Sequence, residues 1–217
     1  MIRSGFAAVL AALILGLAAC AQSTAQDNPV RRALPSRALP PAELLSELRK
    51  GGYVLYFRHA STDFSQNDKR MRSYEDCPHQ RNLTEKGRAE ARSIGASIRQ
   101  LGIPYGRVLA SPFCRTVDTA RLVFGRVEKL QEVRGGPATP ADSDRYAALR
   151  RILATPVSRG TNLVVVSHGN PFISVAGPPY LAEGEAAVVR AVSGDFELVG
   201  RIRPEDWDTL ERWAEMR

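Results

Sequence analysis

Histidine is scarce in this chain: three residues in 217, at positions 59, 79 and 168. Their spacing lacks the short intervals of helical or knuckle zinc ligands, and Arg58 beside His59 repels a cation. No resident metal or other cofactor is therefore expected. Cysteine is equally rare, with Cys20, Cys77 and Cys114. The longest apolar run, residues 6–19, is too short for a comfortable transmembrane helix. There is no internal repeat and no low-complexity tract, and 44% hydrophobic with 24% charged residues is the composition of a globular chain. Acidic residues are in deficit, 23 against 30 Lys and Arg for a net charge of +7. Anionic partners follow: phosphorylated small molecules, nucleic acid or anionic membrane. Aromatic residues are not interleaved with the basic cluster Lys69, Arg70, Arg72 and Arg81, which argues against a nucleic-acid surface. That cluster reads first as a solvated loop; its functional alternative is a rim attracting a multiply charged substrate.

What the chain does contain begins at its first residues. Met1-Ile2-Arg3 is a short positive region, and the apolar run after it ends in small residues, the pattern of a secretory signal over 1–19. Leu17-Ala18-Ala19-Cys20 resembles a bacterial lipoprotein signal, which makes Cys20 the lipidated first residue of the mature chain. Cleavage after Ala21 or Ala25 is the rival. The expectation is an exported, periplasmic lipoprotein whose only membrane contact is this anchor. Residues 20–40 are its flexible tether and 41–217 its folded domain. Cys77 and Cys114 then remain in an oxidising compartment, where one disulfide is expected and two free thiols are the alternative.

Apolar runs at 53–57, 107–110, 163–167, 187–192 and 196–202 read as strands, and the unbroken Leu163-Val164-Val165-Val166 suggests a strand covered on both faces. A helix over 84–101 places Ile94, Ile98 and Leu101 on one stripe with Gly102 at its end. Asp142-Ser143-Asp144 is expected to cap a helix with Tyr146, Leu149, Ile152 and Leu153 on its apolar face. Pro204 opens a last helix anchored by Trp207, Leu210 and Trp213. The alternation implies an α/β fold with a mainly parallel sheet.

Three of these strands end in reactive groups. The first ends in Arg58-His59, the second leads through Ser111 to Arg115, and the apolar third delivers His168. Ligands collect beyond the carboxyl ends of parallel strands, so these groups should converge. Two arginines can hold a phosphate by bidentate hydrogen bonds, and their charge keeps a neighbouring imidazole neutral and nucleophilic. A second imidazole can donate to the oxygens of a transferring phosphoryl group.

The segments "FRHAST", "LTEKGRAEA", "SPFCRTVDTA" and "VVSHGNP" together resemble the histidine phosphatase superfamily, branch 1, the group that includes phosphoglycerate mutases. The resemblance runs from about 53 to 192. It implies a three-layer α/β/α sandwich around a mixed sheet and a metal-independent phosphoric monoester hydrolase working through a phosphohistidine. By position, His59 matches the phosphorylated histidine, Arg58, Arg115 and His168 the rest of the phosphate pocket, and Thr62 a threonine lining it. Ala60 stands where the family more often has Gly, which is tolerated if the backbone there is unstrained. The general acid is less determined: Glu183, Glu185, Glu132 and Asp63 are candidates, with Glu183 placed first because of the "EGE" run. The expected substrate is a small or envelope-associated phosphorylated molecule. A phosphotransferase or mutase on the same fold, and a non-catalytic anion-binding lipoprotein, are the alternatives. Oligomeric state is left open.

Overall fold

The computed structural model describes residues 38–135 and 144–215. In chain order its elements are α1 (Pro41–Lys50), β1 (Val54–Arg58), α2 (Glu85–Gln100), β2 (Val108–Ala110), α3 (Cys114–Phe124), β3 (Glu128–Lys129), α4 (Ala147–Ala154), β4 (Leu163–Ser167), α5 (Gly169–Ala176), β5 (Ala186–Val192), β6 (Asp195–Ile202) and α6 (Trp207–Glu215). Short 3-10 turns occur at Cys77–His79, Gln131–Arg134 and Pro204–Asp206. The strands form one sheet in the order β3-β2-β4-β1-β5-β6. The first four run parallel, while β5 and β6 are antiparallel to their neighbours.

Why the apolar runs are unbroken is visible in how alternate side chains are shared between the two faces. Leu55 and Phe57 of β1, with Val164 and Val166 of β4, pack into the layer holding α1, α2, α3 and α6. Val54 and Tyr56, with Val165, pack into the opposite layer with Leu149 and Leu153 of α4 and Phe172 of α5. Trp207 stacks on Phe57 with ring centres 6.3 Å apart, and Tyr56 meets Phe172 at 4.8 Å. The α/β sandwich is thus a three-layer one with a mixed, mainly parallel sheet, as the sequence implied.

Register then sets the level at which the strands end. Phe57, Val166 and Ala110 form one row, and the next step carries the chain out at Arg58-His59, Ser167-His168 and Ser111. Two hydrogen bonds extend the ladder by that step: His59 N–H donates to Ser167 at 3.0 Å and Ser111 N–H to Val166 at 3.0 Å.

Several expectations need adjustment. The helix foreseen after Asp142-Ser143-Asp144 begins only at Ala147, and its N-cap position, Tyr146, makes no side-chain cap. Asp144 instead accepts the Tyr146 N–H at 3.2 Å, and Asp142 and Ser143 lie outside the described residues. Trp213 is 43% exposed and does not anchor its helix as Trp207 does. The signal and lipidation expectations for 1–19 and Cys20, and the tether up to residue 37, also lie outside the described residues. The helix α1, the eight-residue α5 and the two-residue β3 were not foreseen. Pro41 at the first helical position and Leu44, Leu45 and Leu48 on one face were available signals for α1. In contrast, β3 is an exposed Glu-Lys pair with no apolar pattern at all.

Candidate active site

Each group at the floor of the site is placed by the strand before it. His59 is 1% exposed, and its ring centre lies 5.5 Å from that of His168. The Nδ1 of His59 is 3.0 Å from the Ala60 carbonyl oxygen. A carbonyl can only accept, so Nδ1 carries the proton and Nε2 the lone pair. His168 Nε2 and the Ser111 hydroxyl share a hydrogen bond of 2.9 Å, joining the ends of β4 and β2. Tyr56 donates its hydroxyl to the His168 carbonyl at 2.7 Å.

Burial is the main force on both imidazoles. It lowers the His59 pKa to about 3, with Arg115, Arg58 and Arg81 adding to the effect and the Ala60 hydrogen bond opposing it. His168 is pushed well below its ordinary value, by burial first and then by Arg115, His59, Arg134 and Arg81. Both rings are therefore neutral at physiological pH. Burial also lowers the Arg115 pKa, partly offset by Asp68, but from so high a starting point that the guanidinium stays charged.

The backbone after β1 is fixed from two helices. Ala60 N–H donates to Thr119 of α3 at 3.1 Å. Gly87 in the first turn of α2 lies so close to Ser61 that an added Cβ would come within 2.1 Å of its carbonyl oxygen. That approach requires glycine, and Thr84 caps the same turn by accepting the Gly87 N–H at 2.9 Å. Ser193 is the one non-glycine with positive φ among the described residues, so Ala60 carries no left-handed strain.

Loops supply the walls. Arg58 donates to the Leu181 carbonyl at 2.8 Å and to Glu183 Oε1 at 3.3 Å. Glu183 also accepts the Thr62 hydroxyl at 2.6 Å and the Thr62 N–H at 3.1 Å, and its Oε1 is 3.8 Å from His59 Nδ1. On the other side, Arg115 donates to Asp68 at 3.0 Å. Arg58, Arg81 and Arg115 each leave a buried Nε–H without a hydrogen-bond partner. The loop carrying Asp68 and Arg81 closes at a Thr62–Leu83 bridge and is joined to α3 by a Cys77–Cys114 disulfide. Gln80, 1% exposed, reinforces that joint by accepting the Cys114 N–H at 2.9 Å.

Of the foreseen residues, the structure brings together Arg58, His59, Thr62, Arg115, His168 and Glu183. The EGE run explains why only one of its carboxylates is there. Gly184 turns with φ +76 while its N–H donates to the His59 carbonyl at 2.9 Å. Glu185 consequently faces away into a two-point pair with Arg201 at 2.6 and 2.9 Å. Asp63 is taken up by Ser65 at 2.7 Å, and Glu132 is exposed on its 3-10 turn. His79 pairs with Asp76 at 2.8 Å instead of joining the other histidines.

Arg81 corrects its solvated-loop reading, since its charge acts on His59, His168 and Arg115. Asp68 and Arg134 carry no signal in the sequence, whereas Ser111 has one, its position directly after β2.

Fold and site together define a three-layer α/β protein with two neutral histidines ringed by arginines at the carboxyl ends of its parallel strands. Residues 54–139 match the family model of the histidine phosphatase superfamily (branch 1), a span holding Arg58, His59, Thr62 and Arg115. No curated protein matches the chain. Among solved structures, the protein histidine phosphatase SixA complexed with tungstate is similar at 21% identity and TM-score 0.51, covering 71% of this chain and 98% of that one. The product of the open reading frame Rv3214 from Mycobacterium tuberculosis is similar at 20% identity and TM-score 0.50, covering 68% and 95%. A phosphoglycerate mutase from Bacillus anthracis str. Sterne is similar at 14% identity and TM-score 0.49, covering 75% and 99%. At these identities the likeness to the first two is one of fold.

Proposed function

We propose that the protein is a phosphomonoester hydrolase in which His59 is the nucleophile. The observation that carries this reading is the state of His59: buried, neutral, with its lone pair on Nε2 and three guanidinium groups acting on it. The unpartnered Nε–H groups of Arg58, Arg81 and Arg115 supply donors for phosphate oxygens. As Nε2 bonds to phosphorus, the bond to the leaving oxygen breaks. His168 and the arginines stabilise the charge on the transferring oxygens.

Glu183 delivers the proton to the leaving oxygen. In the resting site it is an acceptor, held by Thr62 and Arg58. A singly protonated phosphomonoester brings the proton in with it and hands it to Glu183, which passes it to the leaving oxygen. Water then attacks the phosphohistidine and gives one proton to Glu183 as the N–P bond breaks and frees His59, and the departing phosphate carries that proton away.

The proposal extends to location. The disulfide supports an oxidising compartment, and the sequence ending at Cys20 supports export with a lipid anchor. An envelope-associated phosphorylated substrate fits that setting. The test is phosphate release from an aryl phosphate by the mature domain and by His59→Ala. Loss of release to background is expected. Release that survives His59→Ala overturns the reading, while phosphate binding without turnover in the native protein favours a binding module.

A further inference from the structure

Among the described residues three large hydrophobic side chains are exposed: Phe64 at 71%, Tyr180 at 44% and Trp213 at 43%. Singly exposed hydrophobics are ordinary, but two of these three stand on guanidinium groups of the candidate active site. The Arg58 guanidinium carbon lies 5.1 Å from the Tyr180 ring centre, and that of Arg81 lies 4.9 Å from Phe64.

Tyr180 is also braced by the peptide unit that follows His168. Its ring lies against Gly169, where an added Cβ would come within 2.2 Å of the ring, and its hydroxyl donates to Asn170 at 2.9 Å. The same loop supplies the Leu181 carbonyl and Glu183, both on Arg58. If Glu183 protonates the leaving oxygen, the group attached to that oxygen departs on the side where this loop lies. On that loop, three residues before the acid and against the same arginine, stands this braced, half-exposed ring.

We propose that the site selects phosphomonoesters whose leaving group carries a planar ring, stacked on Tyr180, with Phe64 adding a second aromatic face at the mouth. This rests on the hydrolase reading above.

The test compares benzylphosphonate with cyclohexylmethylphosphonate, which share charge and approximate size, differ in planarity and cannot be hydrolysed. By titration calorimetry the native protein should bind the planar compound roughly three- to ten-fold more tightly, the scale of an aromatic pair beyond its area. Tyr180→Leu should abolish the preference, Tyr180→Phe should keep it, and Phe64→Leu should reduce it. Equal binding by the native protein, or a preference surviving in folded Tyr180→Leu, overturns the proposal. Should Tyr180→Leu not fold, the native preference and its fall in Phe64→Leu decide the matter. Turnover of benzyl phosphate is measured separately. A ring preference without turnover upholds the ring site and overturns the hydrolase reading; turnover without a ring preference does the reverse.

Discussion

The floor and the walls of the site owe their geometry to different parts of the chain. His59, Ser111 and His168 stand where three parallel strands end, one step beyond a shared row of the sheet, and they move only if the core moves. Thr62, Asp68, Arg81, Tyr180 and Glu183 come from loops, and each is held by a few polar contacts or by a cross-link. The floor sets the chemistry of the nucleophile, because burial there fixes its protonation state. The walls set the charge, the proton donor and the company the phosphate keeps. A lesion in a wall should therefore change binding and leaving-group dependence while the histidines stay in place.

The largest effect is expected from opening the Cys77–Cys114 bond. It spans 37 residues, for which the chain-entropy estimate of stabilisation is about 4 kcal/mol. Cys77→Ser with Cys114→Ser should lower the denaturant midpoint accordingly. Unchanged stability would show that Gln80 and the Arg115–Asp68 pair hold this wall without the bond.

Glu183→Gln sharpens the contrast next. General acid catalysis contributes roughly 100-fold or more, so turnover of an alkyl phosphate should fall on that scale. Turnover of nitrophenyl phosphate, whose leaving group needs no proton, should fall far less. Equal losses on both substrates would remove Glu183 from the acid role and leave it as the partner of Thr62 and Arg58.

The smallest effect belongs to the floor and is read in pH. His59 and His168 have folded-state pKa values below that of the unfolded chain, near 6.5. Above that value neither state is protonated, and their contribution to stability is complete. As pH falls from 6.5 towards 5, the unfolded chain gains protons that the buried rings refuse. Each histidine should then cost stability at a slope that steepens to about 1.4 kcal/mol per pH unit as the pH approaches 5. His59→Gln should flatten part of that slope; an unaltered slope would mean that His59 is protonated in the fold.

The same division governs what the sequence reveals. Arg58, His59 and His168 are legible because strand periodicity ends abruptly in charged or titratable groups, and register then does the rest. Glu183 and Glu185 look alike in the sequence, and only the positive φ of Gly184 separates them, one into the site and one onto Arg201. Asp68 is silent for another reason. Its partner Arg115 is 47 residues away, and a contact across such a loop leaves no local pattern. Arg81 reads first as solvated along with its charged neighbours, because nothing in a run of charges tells which one folds inward.

The claim on which all of this depends is that His59 carries the phosphoryl group between the two half-reactions. The direct measurement mixes the protein rapidly with an aryl phosphate, quenches in alkali, where a phosphohistidine survives, and maps the modified residue by mass spectrometry. The account predicts a phosphoryl group on His59 that disappears in His59→Ala. Turnover with no phosphoryl group on His59, or with one on another residue, would contradict it.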